Sequence, residues 1–218
     1  MSDPVQALLD EQIAYYRARA EEYDRTSIPE HDPFAAQADR IRAALRALDL
    51  RGRVLEIAAG TGQWTGLLAE TAEELTAIDS SPEMLALNQE RTNRPRVRYV
   101  VDDAFALPAT HGHDVLFFGF FLSHVPPERF DAFWAVVEGQ LAPNGRAVFV
   151  DEGRHGAWRE DWIDEARTVV RRTLLDGTVH RAVKVLWDVP DLAERLTALG
   201  WTASVADAGP FYWGVAHR

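Results

Sequence analysis

The chain has 218 residues, 47% hydrophobic and 26% charged, with 23 Lys+Arg against 34 Asp+Glu, a formal net charge of −11 and no cysteine. So acidic a chain with no Lys/Arg block makes nucleic acid an unexpected partner, and the missing cysteines exclude disulfides, thiolate zinc sites, iron–sulfur clusters and a cysteine nucleophile. The composition suits one soluble globular domain over 1–218; no apolar run approaches the roughly 20 residues that span a bilayer and MSDPVQALLDEQ has no signal-peptide pattern, so a cytoplasmic protein without a membrane partner is expected.

Residues 4–24 place Val5, Leu8, Leu9, Ile13, Tyr16 and Tyr23 at roughly helical intervals, predicting a first helix. A break with two prolines, TSIPEHDP, precedes a second helix over about 34–48. From Arg53 onward short β-branched or apolar runs alternate with helical ones, the signature of βαβ units. RVLEIA (53–58), ELTAID (74–79), VRYVVD (97–102), DVLFFGF (114–120) and RAVFVD (146–151) read as buried strands. GLLAETA, SPEMLALNQERT and PERFDAFWAVVEGQL read as the intervening helices, the second with Ser81 as N-cap and Pro82 at its first position.

Beyond Asp151 the chain is polar, and the acidic stretch from Glu160 to Glu165 reads as a solvated face. Two strand-like runs around Asp176-Gly177 then predict a hairpin over 169–187. PDLAERLTALG follows as a helix ended by Gly200, and TASVADA and FYWGVAH close the chain as strands. Four stretches result: N-terminal helices (1–50), a core (51–152), an insertion with the hairpin (153–188) and a C-terminal helix with two strands (189–218).

The most informative segment is VLEIAAGTGQWT (54–65), a buried strand with Glu56 near its end, then Gly60 and Gly62 leading into a helix. Glycines there allow positive φ and close approach of a ligand, the arrangement of a nucleotide-type site at the carboxyl end of a strand. A dinucleotide fingerprint fails because Thr65 takes the third glycine position, and a P-loop fails because no lysine is present in the stretch. Asp79, at the tip of the second strand, suits two ribose hydroxyls. Asp103 at the third strand end suits an adenine amino group, with Ala104 and Phe105 offering backbone N–H and an apolar wall. Gly119 and Phe120 end the fourth strand, so four strand ends converge on one pocket. His124 follows in the crevice loop, as a general base or a helix cap. No histidine pair has metal-ligand spacing, and no metal is expected.

VLEIAAGTG, LTAIDSSPEML, VVDDAFALP and LAPNGRAVFVDE, in this order at these strand ends, resemble a class I S-adenosylmethionine-dependent methyltransferase over roughly residues 10–218. The resemblance implies a doubly wound, seven-stranded, mostly parallel sheet with the last strand inserted antiparallel, roofed by the N-terminal helices and the hairpin. The cofactor it implies is S-adenosylmethionine, and the activity is methyl transfer to a small-molecule substrate. It places Glu56 and Gly60 by the methionine moiety, Asp79 at the ribose and Asp103 at the adenine, and Ala58, Trp64, Ser80, Met84, Ala104, Phe105 and Gly119 are expected to complete the cofactor site. Ala58 and Ala59 stand where the family more often has Gly-Cys.

YYRARAEEYD, HVPPERFDAFW and RRTLLDGTVHRAVKV are similar, more narrowly, to small-molecule O-methyltransferases that include a phosphonate O-methyltransferase of dehydrophos biosynthesis. That likeness implies an N-terminal helix that closes over the cofactor as a lid, and an Arg172 and Lys184 that face an anionic acceptor; Tyr16, Arg19 and Tyr23 are expected at the cofactor, and Phe120 and His124 at the substrate. Glu30 stands where the relative has a substrate-side tyrosine. A two-residue Asp176-Gly177 turn would instead bring Arg171 to the face of Lys184, so both arginines stay in play; monomer and homodimer are both open.

Overall fold

A computed structural model describes residues 3–27 and 34–218, and Glu30 lies outside them. Helix α1 (Pro4–Arg19) starts where the Asp3 side chain accepts from Val5 N at 3.1 Å. A 3-10 turn leads into α2 (Tyr23–Ser27), and α3 (Ala35–Ala47) follows. The core then alternates β1 (Arg53–Ile57), α4 (Thr65–Leu68), β2 (Glu74–Asp79), α5 (Pro82–Thr92), β3 (Val97–Val101) and β4 (His113–Gly119), with α6 (Phe130–Gln140) and β5 (Leu141–Glu152) after them. Ser81 caps α5, its Oγ accepting from Met84 N at 3.1 Å. Strands β6 (Val169–Thr173) and β7 (Val179–Val183) form a separate hairpin, and α7 (Val189–Ala198), β8 (Thr202–Ala208) and β9 (Phe211–His217) complete the chain.

The main sheet has seven strands in the order β3-β2-β1-β4-β5-β9-β8. The first five are parallel and β9 runs antiparallel between β5 and β8, as the family resemblance implies. Both faces are buried, which is why the strands read as near-continuous apolar runs. Leu55, Ile57, Leu116, Phe118 and Phe149 pack under Phe133 and Trp134 of α6 and Leu192 and Leu196 of α7. Val54, Ala77, Phe117 and Val148 pack under Ile41 and Leu45 of α3 with Leu67, Leu68 and Leu85. Strand order reverses between β1 and β4, so the crevice for a ligand opens at their carboxyl ends.

The hairpin departs from the two-residue turn. Gly177 N donates to Leu174 O and Leu174 N to Thr178 O, both at 2.9 Å, and Gly177 has φ +88°. This is a three-residue loop, a type I turn closed by a left-handed glycine bulge. The added loop residue shifts the register to Arg172 opposite His180 and Val170 opposite Ala182, putting Arg172 on the face of Lys184. Arg171 turns away to an exposed pairing with Asp161 at 3.4 Å.

Candidate active site

At the reversal point the four strand ends frame one cleft, enclosing about 1010 Å³ with part of that space open to solvent. Ala58 and Gly60 line it after β1, and Ile78, Asp79, Ser80 and Met84 after β2. Asp102, Asp103, Ala104 and Phe105 follow β3, with Gly119, Phe120, Phe121, His124 and Arg129 after β4. The roof is α1 and the start of α2, through Gln6, Leu9, Gln12, Ile13, Tyr16 and Tyr23.

The backbone is wound tightly here. Ala58, Gly60 and Phe120 have φ of 53°, 53° and 56°. For the two residues with a Cβ this left-handed geometry costs about 1 kcal/mol each, strain of the kind concentrated at functional sites. A Cβ at Gly60 would meet nothing within 4 Å, so the glycine leaves open space on the cleft side. Asp79 fixes this turn: Oδ2 accepts from Gly60 N and Oδ1 from Ser81 N, each at 2.9 Å. Burial pushes the Asp79 carboxyl above its ordinary value, against the pull of these backbone donors. Asp103 Oδ1 accepts from Phe105 N at 2.9 Å, which shapes the adjoining turn.

Glu56 lies beneath the cleft, 1% exposed. Its Oε2 has no partner, and burial pushes its carboxyl up to about 8, against a hydrogen bond from Thr65 and with the Asp79 charge adding to the rise. Native Glu56 therefore holds its proton between its ordinary 4.5 and about 8 where the unfolded chain has lost it, so its effect on stability worsens as pH rises through that window. Glu56→Gln is expected to match the wild type below about pH 4.5 and to exceed it by several kcal/mol above pH 8, read as a widening Tm gap in calorimetric scans of the ligand-free proteins. A constant gap across pH would refute the buried, protonated state.

His124 is 7% exposed in a 3-10 turn, Leu122–His124. Its Nδ1 lies 2.7 Å from Val183 O, which can only accept, so Nδ1 carries the proton. Nε2 then accepts from the Tyr16 hydroxyl at 2.8 Å. Burial first, then the Lys184 charge, push the imidazole down to about 3, and it stays neutral. Buried Gln12 closes the ring of contacts, donating to His124 O at 3.3 Å and accepting from Val183 N at 2.9 Å. Helix α1 is thereby tied at once to the His124 loop and to the hairpin. Arg17 donates to Ser80 O at 2.8 Å, and Asp24 pairs with Arg91 and accepts from Thr61 Oγ1 at 2.7 Å, tying the roof to the β1 and β2 loops.

Other expected site residues lie elsewhere. Trp64 is 6% exposed and packs on Phe117 and Phe120 beneath Gly119, where an added Cβ would collide with its Nε1. The indole fills the space that the glycine leaves, so it supports the cleft from below. Arg19 stacks over the Tyr23 and Tyr15 rings at 4.7 and 5.6 Å and donates to Thr26 and Ser27, bracing the roof. Arg172 and Lys184 sit beyond Tyr16 and His124, each already in an ion pair. Arg172 Nη1 is 2.6 Å from Glu160 Oε2, and Lys184 Nζ is 2.5 Å from Glu152 Oε2 and 3.3 Å from Ser123 Oγ. Glu160 is thus buried against Arg172, correcting its reading as part of a solvated face. Gln6, Leu9, Gln12, Ile13, Asp102, Phe121 and Arg129 escaped the sequence reading. Only Asp102, adjacent to Asp103, had a local signal.

A model of the methyltransferase domain matches residues 54–145, the stretch that builds all four strand ends. Two solved structures cover nearly the whole chain. The DhpI-SAM-HEP complex is 40% identical and covers 100% of both chains with a TM-score of 0.86; the DhpI-SAH complex is 41% identical over 97% of both, TM-score 0.83. The chain belongs to the class I S-adenosylmethionine-dependent methyltransferases. A further relative of this methyltransferase, an uncharacterized methyltransferase of Staphylococcus carnosus, is 30% identical over 138 residues, 62% of this chain. The chain spans 65% of that protein's length, short of two thirds. No helix among the described residues is long and apolar enough to cross a membrane.

Proposed function

We propose that the protein transfers the methyl group of S-adenosylmethionine to an oxygen of a small anionic acceptor. The observation that carries this reading is the junction of the cleft with the hairpin. Tyr16 and His124 line the Gly60 and Asp79 cleft, and His124 is hydrogen-bonded to Val183 of the hairpin whose one face carries Arg172 and Lys184.

The residues present fit the cofactor. Gly60 leaves open space at the turn, and the Asp79 oxygens keep lone pairs free beyond their two backbone donors. Asp79 holds the ribose hydroxyls. Asp103, with Asp102, would accept from the adenine amino group, with Ala104, Phe105 and Phe121 as the neighbouring wall. Ala58, Gly60 and Gly119 line the methionine end above Glu56, while Ser80, Met84, Tyr16 and Tyr23 close the surround. When bound, S-adenosylmethionine would supply an electrophilic sulfonium methyl group for an acceptor oxygen, with S-adenosylhomocysteine as the leaving group.

The chain's own residues align the reactants and exclude water. The general-base expectation for His124 gives way to a positioning role, because both ring nitrogens are committed and the imidazole is held neutral. With His124 committed, an acceptor that arrives already ionised needs no base. S-adenosylhomocysteine release, followed over a panel of small carboxylates, phosphonates and neutral alcohols, tests this. Turnover is expected with members of the ionised classes, and efficient turnover of neutral alcohols alone would overturn the anionic assignment.

A further inference from the structure

The two ion pairs at the acceptor end are stacked in opposite order. The Lys184 side chain is 5% exposed and that of its partner Glu152 is 25%; Arg172 is 23% exposed and its partner Glu160 is 9%. At the first pair the carboxylate stands in front and the ammonium behind it, walled in by Ser123 and buried Asp151. At the second the guanidinium stands in front and the carboxylate behind. Both front groups lie close behind the Tyr16, Tyr23 and His124 wall of the cleft: the Glu152 charge acts on Tyr23 and His124, and that of Arg172 on Tyr16 and His124.

A ligand that reaches past Tyr16 and His124 would meet one anion and one cation, not two cations. Each has capacity to spare. Glu152 uses Oε2 on Lys184, and its Oε1 is 3.9 Å from Arg159, which leaves lone pairs for another donor. Arg172 spends Nη1 on Glu160 and keeps the rest of its five-donor fork. A purely anionic acceptor of high charge would set one edge against the Glu152 carboxylate, which Lys184 holds ionised against its burial at about 2.

We infer that the acceptor is a small zwitterion, whose anionic group, the methyl-accepting one, binds Arg172 while its ammonium or N–H group binds Glu152. This inference rests on the methyl-transfer reading above and narrows its substrate class. Neutralised pairs are what such a ligand needs. Its ammonium adds a second cation to Glu152 beside Lys184, and its oxyanion adds a second anion to Arg172 beside Glu160, so the site stays near charge balance as it fills.

Calorimetric titration of the full-length protein saturated with S-adenosylhomocysteine tests this with two matched pairs: β-alanine against propionate, and 2-aminoethylphosphonate against ethylphosphonate. In at least one pair the amino compound is expected to bind 10-fold or more tighter, with Glu152→Gln abolishing that preference while S-adenosylhomocysteine affinity is unchanged. If Glu152→Gln folds poorly, Glu152→Asp, which keeps the charge and shortens the reach, is expected to reduce the preference in part. Equal or weaker binding of both amino compounds in the wild type, or a preference that survives Glu152→Gln, would overturn the inference. Those results with S-adenosylhomocysteine binding intact leave the methyl-transfer reading standing, whereas failure to bind S-adenosylhomocysteine overturns both.

Discussion

Asp79→Ala is expected to weaken S-adenosylmethionine binding by roughly 100-fold with little loss of thermal stability. Hydrogen bonds from two ligand hydroxyls to a carboxylate contribute about 1.5–3 kcal/mol each, and losing both outweighs what water returns. The substitution also strips Gly60 N and Ser81 N of their acceptor, loosening the turn that shapes the cleft. Stability changes little because burial already disfavours the Asp79 charge, so removing it relieves one cost while adding another. Asp79→Asn, which keeps one acceptor oxygen, should fall between. Calorimetric affinities for wild type and both variants check this, and an unchanged affinity in Asp79→Ala would remove the residue from the ribose site.

Lys184→Met is expected to be the most destabilising single change at the acceptor end, by about 3–5 kcal/mol at neutral pH, because it leaves Glu152 beside buried Asp151 with only Arg159, 3.9 Å away, as a cation. The deficit should shrink with acid. Native Glu152 is held at about 2 against its ordinary 4.5, so the wild type loses that contribution as pH falls from 4.5 toward 2. The variant, whose isolated carboxyl is raised by burial, sheds its penalty over a higher range by taking up a proton. Adding Glu152→Gln to Lys184→Met should restore part of the neutral-pH loss. Denaturant unfolding of the three proteins at several pH values measures this, and a pH-independent deficit or no recovery in the double variant would show that the pair is not the source.

Much of this arrangement is legible in the sequence because local rules suffice for it. Buried parallel strands announce themselves as apolar runs, and Asp79 and Asp103 follow from their positions at strand ends. Ser81-Pro82 fixes the start of α5. The hairpin register was not legible: Asp176-Gly177 fits both a two-residue turn and the last two positions of a bulged three-residue loop, and the choice moves every side chain to the other face. Gln12 gave no signal, since its partners His124 and Val183 are brought to it only by the folded chain. The same holds for Glu152 and Glu160, whose burial depends on Lys184 and Arg172 arriving from the hairpin. Trp64 sits beside the glycine loop in sequence, yet its side chain turns into the core beneath Gly119.

The central claim, methyl transfer to an oxyanion, is tested most directly by where the methyl carbon ends. The protein is incubated with S-adenosylmethionine carrying a ¹³C-labelled methyl group and the acceptors that release S-adenosylhomocysteine, and the product is read by carbon NMR. The account predicts a methyl resonance in the ester or ether range, coupled to the former oxyanion centre. A label found on nitrogen, sulfur or carbon would contradict it.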